Sequence, residues 1–266
     1  SYNEGLCRQS AQLDGSETPE ERYKRVLVAF DRAALLYSKA KEGAKEINSL
    51  LQGAQVSFAS ASFSEAEERY KSSNDKAKKL KSSLLQGLSL EGLGKIAIHR
   101  GQIGASRKFY IEAQSLLKDV PVARSRVTLQ MAATLRKSGD MLGTLDCLDK
   151  AEKMIADLAK DERNKNLAGL MRFLVLSERG QTFLQMGLFD KAQELLRAAM
   201  EHDQENPLIS EENRLSVEGN HLVADGELGN PLYSAGMLES LRQLAENRGL
   251  RDLECTSLIS KGRLLR

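Results

Sequence analysis

The sequence has no tryptophan, four prolines, and aromatics amounting to 5% of its 266 residues. β-Sheets draw on aromatic and β-branched residues in alternating runs. Such runs are hard to find here, so almost no sheet is expected. Cysteine is sparse as well. Cys7, Cys147 and Cys255 are odd in number, far apart and without a CxxC pair, which argues against a disulfide scaffold and for free thiols in a reducing compartment. No stretch approaches the roughly 18 apolar residues of a membrane helix, and residues 1–20 are too polar for a signal peptide. A cytoplasmic protein is the expectation. An excess of one charge is missing too: 39 Lys and Arg against 37 Asp and Glu leave +2, too little to gather nucleic acid. The chain begins at Ser1 and not at Met, so a fragment of a longer protein is expected.

What is present favours helix. Ala, Leu, Glu, Lys, Gln and Arg dominate, and apolar residues recur at three- and four-residue steps, as in Val26, Phe30, Ala33, Ala34, Tyr37 and Ala40. Thr18-Pro19-Glu20-Glu21 reads as an N-cap, a first-turn proline and a reciprocal glutamate. Ser64–Glu67 repeats the capping box, and Asp190–Gln193 is a variant of it. Each should open the second helix of a hairpin.

Self-similarity is the stronger signal. Aligned on Gly101, Gly139 and Gly187, the chain shows Ile103, Met141 and Phe189 two residues on, then Tyr110, Leu148 and Leu196, then Ala113, Ala151 and Ala199. Seven residues before each glycine stand Gly94, Ala132 and Gly180, small side chains where helices must approach closely. An earlier copy places Ala54, Ala61, Phe63, Tyr70 and Ser73 in the same slots, and a weaker later one places Gly219, Leu222 and Gly226.

This pattern resembles the tetratricopeptide repeat (TPR) family, whose first helix carries a Leu-Gly pair and an aromatic and whose second carries Ala, aromatic, Ala. Leu93-Gly94, Gly101, Tyr110 and Ala113 fit it, as do Gly180, Phe183, Gly187, Phe189, Ala192 and Ala199. The family's tryptophan is absent, and turns at 61, 101, 139 and 187 lie 40, 38 and 48 residues apart, against 34 in the standard repeat. The resemblance implies an all-α fold, a right-handed α-solenoid of TPR-like helix–turn–helix repeats in one domain over 1–266. Repeats are expected at about 20–47, 48–83, 87–120, 125–160, 167–205 and 211–248, with a C-terminal helix over 250–266.

His99, His202 and His221 share no ligand spacing with one another or with the cysteines, so no metal or other cofactor is expected. Gly92-Leu93-Gly94-Lys95-Ile96-Ala97 imitates a dinucleotide fingerprint but follows no strand, and reads as helix packing. Ser115–Lys118 has an acyl-enzyme spacing with no companion motif. Lys71, Lys76, Lys78, Lys79 and Lys81 read as a solvated helix face; Tyr37, Tyr70 and Tyr110 as equivalent core residues of successive second helices; Cys147 as a buried, inert thiol. No catalytic set emerges, and the chain is not expected to be an enzyme.

In families of this pattern the first helices line a concave groove. By helical phasing that groove should carry Gln55, Lys95, His99, Arg126, Gln130, Lys137, Gln181 and Asn220, in a lining that also takes in Glu91. Amides pair with both sides of a peptide unit, while Lys95, Arg126 and Lys137 suit a carboxylate. The expected role is a scaffold holding a protein or an extended peptide, with an acidic group as a fitting feature and neither nucleic acid nor membrane as a partner. The alternative is a regulatory sensor domain of a larger signalling or transcriptional protein, binding a peptide or small ligand.

Overall fold

A computed structural model describes residues 18–203 and 206–265. Cys7 lies outside these residues, and so does the side chain of His202. Among the described residues there are twelve α-helices and no strand. They divide into two compact units. The first unit holds α1 (Pro19–Lys39), α2 (Gly43–Ala59), α3 (Phe63–Lys79), α4 (Ser83–His99), α5 (Ile103–Leu116) and α6 (Pro121–Lys137). The second holds α7 (Met141–Leu158), α8 (Lys165–Gln185), α9 (Phe189–Asp203), α10 (Glu211–Glu227), α11 (Pro231–Asn247) and α12 (Arg251–Leu264). No helix among the described residues is long and apolar enough to cross a membrane.

Within each unit, consecutive helices pack on one another, and alternate helices also touch: α2 with α4, α4 with α6, α8 with α10, α10 with α12. This is the contact order of stacked helical hairpins, in which α2, α4, α8 and α10 are first helices and α3, α5, α9 and α11 second helices. Complete hairpins span 43–79 and 83–116 in the first unit. The expected repeats at 20–47 and 48–83 were phased differently: α1 is a helix of the second type with no first helix before it among the described residues, and α2 begins at Gly43.

The turns explain the phasing. Helices end on a residue in the left-handed region at Lys41, Ala61, Lys81 and Gly101, a regular 20-residue step, and again at Gly139, Gly187, Gly229 and Gly249. After it, the next N–H reaches back six residues' span to the preceding helix, as from Ser62 to the Ser57 carbonyl (2.8 Å), Ser82 to Ala77 (3.0 Å) and Gln102 to Ala97 (2.8 Å). This Schellman arrangement satisfies carbonyls that a helix end leaves open. It also fixes where the next helix begins. Thr18 caps α1 with the reciprocal Glu21 bond expected of it, but the box at Ser64–Glu67 does not form. The turn around Ala61 makes Ser62 the cap position and places Ser64 inside α3, and Asp190 likewise lies in the first turn of α9.

Glycines inside helices serve close approach. A Cβ on Gly94 would sit 2.4 Å from Cε1 of Tyr110, and one on Gly92 2.2 Å from Cε1 of Tyr70. The false dinucleotide fingerprint is thus the seat of two tyrosine rings, both almost fully buried. Gly180 receives Leu196 in the same way. Tyr37 is not a third member of this set. Counted from the left-handed residue that ends each helix, Phe30 matches Tyr70, whereas Tyr37 matches Ala77; Tyr37 is only half-buried, under the Lys45 ammonium at 5.5 Å. Cys147 is half-exposed, because it stands between the buried positions Thr144 and Leu148.

Two stability outcomes follow. Lysine in the left-handed region costs roughly 1–2 kcal/mol that glycine does not pay, so Lys81→Gly should raise unfolding stability by about 1 kcal/mol. Gly94→Ala should lower it by about 1–3 kcal/mol or more, since the tyrosine ring must move. Urea titration of both variants followed by far-UV circular dichroism measures each directly.

Candidate functional site

Six of the eight expected groove residues lie on first helices of the first unit: Gln55 on α2, Lys95 and His99 on α4, and Arg126, Gln130 and Lys137 on α6. Gln181 and Asn220 lie in the second unit, on α8 and α10, both half-buried. Gln55, His99 and Lys137 are exposed; Lys95, Arg126 and Gln130 are half-exposed. The apolar stripes of α2, α4 and α6 point into the hairpin stack, which leaves these polar side chains on the remaining face.

At the centre of that face stands Glu91. Its side chain is 4% exposed. Arg126 grips both carboxylate oxygens, Nε to Oε1 at 2.8 Å and Nη2 to Oε2 at 2.6 Å. Lys95, one turn along α4, adds Nζ at 3.2 Å from Oε1. Burial alone pushes the Glu91 carboxyl up, but Lys95 and Arg126 outweigh it and hold the carboxyl below its ordinary range. Burial first and the Glu91 charge second raise the neighbouring Tyr70 phenol well above its usual value, against the pull of Arg126. Lys95 and Arg126 are therefore not a free cationic pair awaiting a ligand carboxylate. They are the counter-ions of a buried acid that ties α4 to α6, and the open positive charge of the face moves to Lys137.

His99 closes one end of α4 and belongs to an aromatic group. Its ring stacks on Phe63 (centroids 4.8 Å apart, 28° between planes) and meets Phe58 edge-on at 4.9 Å, while Phe58 and Phe63 meet each other at 5.4 Å. Gln55 lies one helical turn before Phe58 on α2. Beside this group Arg100 is paired with Glu67. Phe58 and Phe63 were missed in the sequence because neither falls on the polar phase of a first helix; Phe63, first residue of α3, joins the group only through the tight turn at Ala61.

The second unit carries a separate polar group. Asp225 of α10 accepts from Gln193 of α9 (3.1 Å) and Ser234 of α11 (3.3 Å). His221, one turn before Asp225, has Nε2 buried and without a hydrogen-bond partner. Burial first and Arg197 second push its pKa down against the pull of Asp225. Among the described residues, no three His, Cys, Asp or Glu side chains gather as metal ligands.

No protein-family model matches the chain, and no curated protein matches its sequence. Solved structures do match. BtubC (BKLC) from P. vanneervenii superimposes with a TM-score of 0.66 at 12% identity, covering 88% of this chain and 93% of that one. The nearly identical TPR-like repeats assigned to a kinesin light chain of P. anserina superimpose with a TM-score of 0.53 at 16% identity, covering 76% of this chain and 96% of the other. The fold is tetratricopeptide-like.

A TPR-like stack accounts for the division of labour between its helices. Second helices spend their large residues on the glycines of first helices, as Tyr110 does on Gly94 and Leu196 on Gly180. First helices touch one another along a second seam, and in the first unit Glu91 with Arg126 makes a polar bond across that seam.

Glu91→Gln removes the acid and leaves Arg126 and Lys95 unpaired. Both can rehydrate in part, so the loss at neutral pH should be about 1–3 kcal/mol. The sign of the pH dependence follows from the lowered carboxyl. The unfolded chain, with Glu91 titrating near its ordinary value of 4.5, binds the proton first, so the stabilisation is complete above that value and fades as pH falls through the lower folded-state pKa. The gap between wild type and Glu91→Gln in urea midpoints should accordingly narrow as pH is lowered below about 4.5; a gap constant with pH would mean that Glu91 is not held ionised.

Proposed function

We propose that the protein is a non-catalytic scaffold that holds a segment of another protein, or an extended peptide, against the first-helix face of its first unit. The observation that carries this reading is the surface left by α2, α4 and α6. Three successive first helices present amide, imidazole and ammonium groups side by side, at Gln55, His99, Gln130 and Lys137, over a buried ion pair that holds α4 to α6. Asn and Gln side chains offer a donor and an acceptor each, which matches the alternating polar groups of an extended backbone. Lys137, exposed at the end of α6, is the group suited to a peptide carboxylate. The Phe58–Phe63–His99 group supplies apolar and π-face contact at the other end of the same face. A catalytic role for Glu91 is disfavoured on physical grounds, since its oxygens are engaged by Arg126 and Lys95 and its proton affinity is lowered. The two neighbouring folds contribute the fold alone; the scaffold role rests on the surface.

Reversal of Lys95 or Arg126 would confuse loss of binding with loss of the Glu91 bond. A cleaner experiment selects peptides from a displayed random library on the wild-type chain and titrates the winners calorimetrically against Gln130→Ala, Lys137→Glu and His99→Ala, each checked for folding by circular dichroism. Binding weakened about tenfold or more by Lys137→Glu, with enrichment of acidic residues or free C-termini among the winners, is the expected result. Peptides that bind all three variants as they bind wild type would place the site elsewhere.

A further inference from the structure

The lysine run of α3 is not one solvated face. Lys71 and Lys76 are paired, with Glu67 at 2.6 Å and Glu46 at 2.7 Å. Lys78, Lys79 and Lys81 are exposed and make no ion pair among the described residues. The turn between α1 and α2 repeats the arrangement with Lys39 and Lys41, exposed and likewise without an ion pair among the described residues. Lys39 and Lys79 stand two residues before the left-handed residue of their turns, and Lys41 and Lys81 are that residue. Lys79 and Lys81 belong to the interior of the first unit, between α3 and α4, and are exposed all the same, so the exposure comes with the turn position. The two turns are neighbours. Leu80, itself 46% exposed, reaches from one to the other, its Cδ1 3.8 Å from where a Cβ on Gly43 would stand.

The acids nearby are largely answered by other cations. Glu42 pairs with Lys45, Glu46 with Lys76, and Asp75 is the one carboxylate in the last two turns of α3. A helix dipole draws cations to its last turn, which accounts for Lys39, Lys78 and Lys79. Lys41 and Lys81 stand past the last turn, in a conformation that strains a side chain and not a glycine. At the opposite edge of the same unit, similar turns do without cations: Ser60-Ala61-Ser62 has none, and Arg100 beside Gly101 is paired with Glu67. The chain thus holds two lysines under strain, side by side, around an exposed leucine. Strain of this kind persists where the side chain has a use.

We propose that this edge of the first unit docks an acidic, extended segment of a partner protein, its carboxylates on Lys39, Lys41, Lys79 and Lys81 and an aliphatic side chain on Leu80. The surface is separate from the first-helix face. An apolar element among ammonium groups decides between kinds of partner. A phosphate backbone has nothing to lay on Leu80, and these two turns contain no arginine, the residue best shaped for phosphate. A bilayer takes up side chains that stand proud of the surface, whereas Leu80 lies back against Gly43. An extended segment with acid, aliphatic and acid at every second residue turns all three to one side, over about 13 Å.

Fluorescence anisotropy of the full chain with a labelled peptide of repeated Glu-Ser-Leu-Ser tests this, beside the same peptide with glutamine in place of glutamate. Wild type should bind the acidic peptide and not the neutral one, and added salt should weaken the binding. The Lys41→Gly, Lys81→Gly double variant should bind about tenfold more weakly or worse while its urea midpoint rises, because relief of strain and loss of charge act on different readouts. Lys137→Glu, on the first-helix face, should bind this peptide as wild type does. Wild type that fails to bind the acidic peptide, equal binding of the neutral peptide, undiminished binding by the double variant, or loss of binding on Lys137→Glu would each overturn the proposal. Tighter binding of phosphatidylserine vesicles or of a duplex oligonucleotide, lost in the double variant, would give the edge to a bilayer or to nucleic acid and overturn it as well.

Discussion

The contact on which the fold depends is a large side chain set against a helix that has none. Tyr70 against Gly92, Tyr110 against Gly94 and Leu196 against Gly180 bring helix axes closer than a Cβ would permit, and close packing of this kind makes each hairpin face complementary to its neighbour. Glycine in mid-helix costs up to about 1 kcal/mol of helix propensity per residue, and α4 contains Gly87, Gly92 and Gly94. The helix persists because burial of two tyrosines and the surrounding leucines outweighs that cost. Stability here is tertiary, and the individual helices depend on their neighbours.

That dependence explains why Glu91 is tolerated. A carboxylate buried to this degree is costly unless paired, and its position, one turn before Lys95 and opposite Arg126, gives it a bidentate partner and a second cation together. An apolar residue there would pack equally well in a generic stack. The ion pair adds direction, because a guanidinium fork meets a carboxylate in few orientations, and it links α4 to α6. The polar face above inherits its geometry from this bond.

The register of the hairpins was legible because glycine marks both the turns and the close contacts, so Gly94 with Gly101 and Gly180 with Gly187 locate a helix and its end together. It was lost at Lys41 and Lys81, where the left-handed residue is a lysine that nothing in the sequence distinguishes from its neighbours. The 20-residue step from 41 to 101 was therefore hidden, and Tyr37 was matched with Tyr70 when Phe30 is its equivalent. The candidate face was legible as a phase: Gln55, Lys95, His99, Arg126, Gln130 and Lys137 do stand on first helices. Its electrostatics was not. Glu91 falls on the same phase as Lys95, and only the approach of α6, thirty-five residues on, decides that Arg126 turns inward to it. Nothing local to either segment encodes that pairing.

A stack of hairpins has an interior grammar and two ends at which the grammar stops. Inside, one position on a first helix can hold Leu51 or Glu91 and be buried in either case, because a neighbour covers it. At an end, the chain can replace the uncovered residues with polar ones, as capping repeats do, or keep them apolar. Among the described residues, Leu258 and Ile259 on α12 and Leu36 on α1 are exposed. Exposed leucine and isoleucine aligned on one helical face lose hydration free energy of about 25 cal/mol per Å² that any cover would recover.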